Sequence, residues 1–153
     1  SLTGGENVAF GLREHTDMTE AEIKNKVSEK LSLVGLEGKE SLMPSELSGG
    51  MQKRVSLARA IAADPEIVLY DEPTTGLDPI TSKSIEDLMI ELHRKFRITS
   101  VVVTHQLSTV FRVANKIAML HDGKILEIGP TDRIKFSSNP IIRDFIAASS
   151  VKI

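Results

Sequence analysis

The 153-residue sequence contains no cysteine, no tryptophan and no apolar segment long enough to cross a membrane. Without cysteine there is no disulfide framework and no thiolate metal site, a composition that fits a reducing cytoplasm. A membrane-spanning helix needs about 20 consecutive, mainly apolar residues. Any role of these residues at a membrane is therefore expected to depend on a partner.

The sequence also lacks a phosphate-binding loop of the form G-x-x-x-x-G-K-[ST]. Its nearest glycine-rich candidates are Gly4-Gly5 and residues 35–39, and neither has the required spacing. Neither stretch supplies the backbone cradle and the lysine with which such a loop holds phosphates.

What is present is the composition of an ordinary globular domain. Hydrophobic residues make up 41% of the chain and charged residues 26%, and the formal net charge is −2. This length predicts one domain with enough chain for a sizeable core. The near-neutral charge gives no support for a nucleic-acid partner or an anionic membrane surface.

Residues 47–54, LSGGMQKR, predict the start of a helix that is suited to bind an anion. Ser48 is a preferred N-cap residue, and Gly49 and Gly50 leave the backbone N–H groups uncovered. Apolar residues then recur at helical spacing as far as residue 63. Free N–H groups at the positive end of a helix would stabilise a phosphate. Taken alone, however, Ser-Gly-Gly is better explained as a glycine-rich helix cap.

A short apolar strand follows over residues 66–70 and ends at two adjacent carboxylates, Asp71 and Glu72. In P-loop ATPases a buried strand of this kind delivers the carboxylates that hold Mg²⁺ and polarise a water molecule. The alternative, in which the two carboxylates only cap the next turn, is disfavoured by the apolar strand that precedes them.

Four segments, taken in order, resemble the motifs of ABC ATPases. Residues 47–52 resemble the signature motif, residues 67–72 the Walker B strand, residues 74–79 the D-loop, and Thr104-His105 the switch histidine. The resemblance implies an α/β fold, that of a P-loop NTPase ABC-type ATPase domain in truncated form. This form comprises a helical subdomain and the C-terminal part of a mainly parallel core sheet. The family's Walker A strand, P-loop and Q-loop are then expected upstream of Ser1.

The resemblance also implies ATP hydrolysis with Mg²⁺, by in-line attack of water on the γ-phosphate. Asp71 would hold Mg²⁺ through its water shell, Glu72 would be the general base, and His105 would contact the γ-phosphate. Three further histidines have no such support and are predicted to be structural. They are His15, His93 and His121.

The predicted phosphate-binding residues would serve the site of a second subunit. In this family two ATPase domains pair head to tail, and each signature motif closes the partner's site. Ser48-Gly49-Gly50 would bind the γ-phosphate there, with Met51 at a position where the family most often has glutamine. Asp78 would lie across the interface, and it is also a predicted N-cap before Pro79.

The same resemblance divides the chain at residue 50. Residues 1–50 would form the helical subdomain, which docks on a membrane subunit, and residues 51–153 the C-terminal part of the ATPase core. Without a P-loop, the chain as given is expected neither to bind ATP tightly nor to hydrolyse it. The Walker A strand would lie between strands 98–103 and 116–120, so unpaired edges are expected there. Three arrangements would fill the gap that the absent Walker A strand leaves. The fragment rearranges locally, it pairs with another copy, or a neighbouring segment of the chain occupies the gap.

Periodicity and capping predict the remaining elements. A capping box at residues 19–22 opens a helix that ends near Gly35, whereas residues 7–16 have no clear period. The other expected elements are a helix after Asp78-Pro79, a buried parallel strand at 98–103, a helix at 107–114, a hairpin over 116–128 that turns at Asp122-Gly123, a break at 129–130, and short helices near 131–136 and 141–148.

Three loop segments, residues 12–16, 42–47 and 78–81, narrow the resemblance to the ATPase subunit of MCE-type phospholipid transporters, also called Mla-type or toluene-tolerance systems. The implied partners are a second ATPase subunit, a membrane permease and an MCE-type substrate-binding protein. The implied location is the cytoplasmic face of the inner membrane, peripheral through the permease. No nucleic-acid partner is expected.

Two alternatives stay open. The first is an importer of another solute, such as an amino acid or a peptide. An ATPase subunit does not contact the cargo, so its sequence does not distinguish one cargo from another. A non-transport ABC protein acting on ribosomes or DNA, or a non-catalytic interaction module, is the other. A purely regulatory module is expected to have lost Glu72 or His105, and both are present.

Overall fold

The computed structural model describes residues 2–149, which form helices and strands in two compact units that divide between Val101 and Val102. The helices are α1 (Gly4–His15), α2 (Glu20–Leu33), α3 (Gly49–Ala60), α4 (Pro79–Phe96), α5 (Leu107–Val113), α6 (Thr131–Lys135) and α7 (Pro140–Ala148), with a 3₁₀ turn at Pro44–Glu46. The strands are β1 (Ile67–Asp71), β2 (Thr99–Val103), β3 (Lys116–His121) and β4 (Lys124–Pro130).

The sequence shows no clear apolar period over residues 7–16, but the structure has helix α1 there. A capping box opens this helix, because the Glu6 amide donates to Thr3 Oγ1 at 3.2 Å and the Thr3 amide to Glu6 Oε2 at 2.7 Å. Gly4 and Gly5 lie in its first turn, and their amides donate to carbonyls of the 40–42 connector at 2.8 Å. A Cβ on Gly5 would lie 3.0 Å from the Glu40 carbonyl oxygen, so this glycine pair serves helix packing.

Helix α2 confirms its predicted capping box and end. The Glu22 amide donates to Thr19 Oγ1, and Gly35 follows the helix with a φ of +71°. Only glycine adopts this left-handed conformation without steric cost. The predicted apolar face is buried against α1 and α3, and its members are Ile23, Val27, Leu31 and Val34.

Two lysines of α2 tie that helix to the loop before β1. Lys26 and Lys30 both form ion pairs with Asp64, which has a φ of +49°. Lys30 is 1% exposed, and its ammonium also lies 5.0 Å from the centre of the Phe96 ring. Burial raises the pKa of Asp64, but hydrogen bonds from both lysines more than offset this, so the pKa lies below its ordinary value.

Strands β1 and β2 are hydrogen-bonded neighbours joined in sequence through α4. The prediction that both strands are buried is wrong, because side chains on one face of the pair are open to solvent. On β1, Val68 and Tyr70 are buried. The exposed aliphatic side chains are Ile67, Leu69, Val101 and Val103, at 59%, 75%, 48% and 61% exposure. An apolar run in the sequence does not reveal whether one face or both are covered.

Helix α4 begins and packs as predicted. Asp78 is its N-cap and Pro79 its first residue, and Asp78 Oδ1 accepts from the amides of Ile80 and Thr81 at 2.9 and 3.0 Å. The sequence predicts an apolar face of Ile85, Leu88, Met89, Leu92 and Phe96, of which the first four are buried and Phe96 is half-buried.

In the second unit, β3 and β4 form the predicted antiparallel hairpin. The turn residues Asp122 and Gly123 have φ of +46° and +73°, the left-handed pair that a tight two-residue turn requires. The predicted break at residues 129–130 is wrong, since β4 continues to Pro130 and α6 follows at once. The core of this unit is made by Leu107, Ile117, Ile134, Ile142 and Ile146.

Within residues 2–149 the strands form two separate two-stranded sheets, β1–β2 and β3–β4. Which of the three predicted arrangements completes the ATPase sheet stays a prediction, as does the division at residue 50. No helix of the described residues is long and apolar enough for a membrane crossing.

Candidate functional site

Helix α3 begins with the cap that the sequence predicts. Ser48 has extended backbone angles, and its Oγ accepts from the Met51 amide at 3.3 Å. The Gln52 side chain turns back and donates to the carbonyls of Pro44 and Leu47, at 2.9 and 3.2 Å. These contacts fix the connector that leads into the helix and leave Gly49 and Gly50 as its first two residues.

Both glycines pack closely against the start of α4. A Cβ on Gly49 would lie 3.5 Å from Leu77 Cδ2, and one on Gly50 would lie 2.6 Å from Thr81 Cγ2. The Thr81 side chain is itself held, because its Oγ1 donates to Asp78 Oδ2 at 2.5 Å. Glycine at position 50 is therefore required by this packing, whether or not a phosphate binds nearby.

The predicted metal-binding carboxylate, Asp71, and the predicted catalytic carboxylate, Glu72, lie where β1 ends. Asp71 is its last residue and is exposed. Glu72 is half-buried and has a φ of +45°, which is uncommon for a residue with a side chain. It also precedes Pro73, a position that ordinarily takes extended backbone. Thr75 Oγ1 donates to Glu72 Oε2 at 2.7 Å and so orients the carboxylate.

A lysine of α3 joins the helix to this strand end. Lys53 Nζ donates to the Glu72 carbonyl oxygen at 3.1 Å. The next residue, Arg54, donates to the Val34 carbonyl at 2.5 Å and to Ser84 Oγ at 2.7 Å, which links α3 to the end of α2 and to α4. The glycine start of α3 and the carboxylate end of β1 therefore belong to one connected framework.

Asp78 is exposed and ionised in this framework. Hydrogen bonds from the Thr81 hydroxyl and the Thr81 amide hold the pKa of Asp78 below its ordinary value. The N-cap role predicted for this residue is confirmed, while its role at a subunit interface stays a prediction.

His105 lies in the second unit, between β2 and α5, as predicted from its place after the apolar run. It is exposed, and the neighbouring turn is closed by the Gln106 amide, which donates to Thr104 Oγ1 at 3.1 Å. His93 has a structural contact instead, with its Nδ1 2.7 Å from the Ile98 carbonyl oxygen.

The first unit thus holds Ser48, Gly49, Gly50, Met51, Asp71, Glu72 and Asp78, and the second holds His105. Sequence reasoning missed Lys53, Thr75 and Thr81. Lys53 stands directly after the LSGGMQ segment, but its partner is 19 positions away and no local pattern marks it. The described residues contain no group of three histidine, aspartate or glutamate side chains placed to hold a metal ion.

Comparison with known families and structures identifies the type of fold. The family model described as "ABC transporter" matches residues 2–75. A solved dimeric structure of the ATP-binding cassette MJ0796, in a post-hydrolysis state bound to ADP and Pi, superposes with a TM-score of 0.73. That chain is 34% identical, and the match covers 85% of this chain and 57% of the other. The chain therefore has the fold of an ABC ATPase cassette, and its residues 2–75 are similar in sequence to the ABC transporter family.

Curated relatives carry three different kinds of name. The chain is 44% identical over 165 residues to protein TRIGALACTOSYLDIACYLGLYCEROL 3, chloroplastic, of Arabidopsis thaliana, covering 97% of this chain and 48% of the relative. It is 41% identical to the probable ribonucleotide transport ATP-binding protein mkl of Mycobacterium bovis, covering 92% and 39%. It is 49% identical to the methionine import ATP-binding protein MetN of Ligilactobacillus salivarius, covering 81% and 35%. The chain spans less than half the length of each.

Proposed function

We propose that this chain carries the signature and Walker B part of the ATP-binding subunit of an ABC transporter, a subunit that couples ATP hydrolysis to transport. The observation that carries the proposal is the joint placement of two features in one unit. The glycine start of α3 and the carboxylate end of β1 are connected through the hydrogen bond from Lys53 to the Glu72 carbonyl. Each feature alone has an ordinary explanation, as a helix cap or as a turn. Together they provide phosphate-binding amides for the nucleotide of a partner subunit and a base for the chain's own site.

The residues present fit part of a site for Mg²⁺ and ATP. Mg²⁺ in such sites is held by one or two carboxylates together with phosphate oxygens and water. Asp71 at the strand end matches this requirement, since no larger cluster of ligating side chains is needed. Gly49 and Gly50 have no Cβ to keep a phosphate from their amides. When bound, Mg²⁺ and ATP would supply the transferable phosphoryl group and neutralise the charge that develops on it.

Each of the chain's own site residues would then have a separate role in ATP hydrolysis. Glu72 would orient a water molecule and accept its proton, with the carboxylate held by Thr75. Asp71 would accept hydrogen bonds from water around the metal. The Ser48 oxygen already accepts from Met51, so its hydroxyl proton is available to donate outward. His105 would donate to the γ-phosphate.

A second copy is part of the proposal, because the resemblance implies that each LSGGMQ-type segment closes the nucleotide site of a partner subunit. In a head-to-tail pair, Ser48, Gly49 and Gly50 would contact a nucleotide held mainly by the other subunit, and Asp78 would lie across the interface. The dimeric MJ0796 structure supports such a pairing. A membrane permease and an MCE-type substrate-binding protein complete the proposed assembly, at the cytoplasmic face of the inner membrane.

For the cargo we propose a phospholipid, moved by an MCE-type system. The resemblance of residues 12–16, 42–47 and 78–81 to MCE-type ATPases supports this choice. The name of the Arabidopsis relative, which contains that of a galactolipid, supports a lipid cargo more generally. Import of an amino acid is the second candidate, favoured by the higher identity to the methionine import protein over a shorter stretch.

The deciding experiment is to sequence the gene upstream of the Ser1 codon together with its neighbours. We expect a G-x-x-x-x-G-K-[ST] loop upstream and an MCE-domain gene nearby. The intact gene product is then expected to hydrolyse ATP, while residues 1–153 alone are not. An upstream reading frame without such a loop would contradict the ATPase proposal, and a neighbouring gene for an amino-acid-binding protein would contradict the lipid cargo alone.

A further inference from the structure

Lys53 lies on the second turn of α3 and reaches across to the end of β1. Its ammonium donates to the Glu72 carbonyl oxygen at 3.1 Å, and the side chain is half-buried. Holding a lysine in one rotamer costs conformational entropy. A lysine that gives up this freedom to bind a single backbone carbonyl indicates a specific contact and not a solvated surface charge.

The backbone that Lys53 binds is one that needs support. Glu72 has a φ of +45°, in the left-handed region that side chains with a Cβ disfavour. Strain of this kind persists only where the surrounding structure fixes it, and it concentrates at functional sites. The fixing contacts include Lys53 on the carbonyl oxygen and Thr75 Oγ1 on the carboxylate.

We propose that Lys53 is a positioning residue that keeps the Glu72 carboxylate aimed at the attacking water. The inference rests on the proposed function, in which Glu72 is the general base. A base acts only within hydrogen-bond reach of the proton it accepts. If the Glu72 carbonyl is released, the backbone relaxes toward the extended conformation that the residue before Pro73 prefers, and the carboxylate turns away. Lys53 shares α3 with Gly49 and Gly50, so a movement of that helix start would also reach Glu72.

The test is the Lys53→Met substitution in the intact ATPase, which removes the donor and keeps the length of the side chain. We expect kcat to fall about tenfold and KM for ATP to change less than about twofold, because the Lys53 ammonium binds the Glu72 carbonyl and has no assigned role in holding the nucleotide. Lys53→Arg keeps a cationic donor and is expected to restore most of the rate. Lys83→Met, at an exposed lysine of α4, is the matched control and is expected to keep the wild-type rate.

A wild-type kcat in Lys53→Met, or a raised KM with unchanged kcat, would overturn the positioning role. Glu72→Gln separates this result from a failure of the proposed function. An inactive Glu72→Gln beside a fully active Lys53→Met contradicts the role of Lys53 alone, whereas an active Glu72→Gln contradicts the general base. A crystal structure of Lys53→Met needs no turnover. There the φ of Glu72 is expected to leave the left-handed region, and an unchanged positive φ contradicts the proposal.

Discussion

The two sheets of this protein contrast in how they are specified. Strands β3 and β4 are joined by a two-residue turn, and Asp122 and Gly123 provide the positive φ angles that such a turn needs. Strands β1 and β2 are separated in sequence by the whole of α4 and pair without a direct turn between them. The first kind of pairing is encoded by adjacent residues, the second by contacts between distant ones.

The sheets also differ in what their acidic residues do. Glu72, after β1, has a strained backbone and is held by Lys53 and Thr75. Glu127, within β4, receives hydrogen bonds from Arg133 Nε at 2.9 Å and Ser137 Oγ at 2.6 Å. The locally encoded sheet uses its glutamate to hold the fold together. The other sheet presents its glutamate under strain, which is typical of a functional position.

The sharpest test of this contrast compares the two glutamates by the same substitution. If the proposed function holds, Glu72→Gln in the intact gene product is expected to lower kcat for ATP hydrolysis by about 10²- to 10⁴-fold, because an amide does not accept the proton of water. Glu127→Gln removes a charge of the same kind and is expected to leave kcat near the wild-type value. Steady-state ATP hydrolysis measures both. Equal loss in the two variants would contradict a special role for Glu72.

Core truncations test whether the two units unfold independently. Leu31→Ala in the first unit and Ile142→Ala in the second each remove a fully buried side chain. Each is expected to cost about 2–5 kcal/mol of unfolding free energy. Hydrogen exchange should show faster opening of β3 and β4 in Ile142→Ala, with the amides of α2 less affected, and the reverse in Leu31→Ala. Identical exchange patterns would show that both units unfold as one.

The glycine start of α3 is tested by Gly50→Ala. The added Cβ would lie 2.6 Å from Thr81 Cγ2, so we expect a loss of about 1–3 kcal/mol in the free energy of unfolding. Combining it with Thr81→Ser removes the opposing methyl group, keeps the hydroxyl on Asp78 and should recover most of the loss. Thr81→Val retains the bulk and is the control that should not recover it. Denaturant unfolding measures all three.

The smallest expected effect is the acid dependence of two exposed carboxylates, one in each unit. The pKa of Asp78 is lowered by hydrogen bonds from Thr81, and that of Glu127 by Ser137 and Arg133. A pKa lowered on folding stabilises the native state above the unfolded value, about 3.9 for aspartate and 4.3 for glutamate. This stability is lost as pH falls through the lower native pKa. Below about pH 4 the thermal midpoint should therefore fall less steeply in Asp78→Asn and in Glu127→Gln. Unchanged slopes would contradict these linkages.

Local patterns predicted the elements that local residues determine. The capping box at Thr19, the glycine after α2, the Asp78-Pro79 start of α4 and the Asp122-Gly123 turn were all predicted from the sequence and confirmed. The ABC-type fold was also identified, because its motifs are contiguous and ordered. Helix α1 was missed because its first turn contains two glycines, which favour a loop when the packing partner at residues 40–42 is unknown.

The contacts that shape the candidate site were beyond sequence reasoning. Lys53 meets Glu72 across 19 positions, and Gly50 meets Thr81 across a turn, a strand and a loop. Neither pair belongs to a periodic or capping pattern. The glycines of the LSGGMQ segment were explained from the sequence by phosphate binding or by helix capping, whereas the structure shows that the packing against Thr81 already excludes a side chain at residue 50.

The placement of α4 between β1 and β2 has a consequence for synthesis on the ribosome. The end of β2 is 32 residues beyond the end of β1, by subtraction of Asp71 from Val103. At translation rates of about 5–20 residues per second, the end of β2 is synthesised about 2 to 6 s after the end of β1. The hairpin needs only the nine residues that follow His121, up to Pro130, which takes about 0.5 to 2 s. During that longer interval the nascent chain contains an apolar segment, Val68, Leu69 and Tyr70, whose partner strand has not yet been synthesised. Chaperone binding is expected to concentrate at this segment.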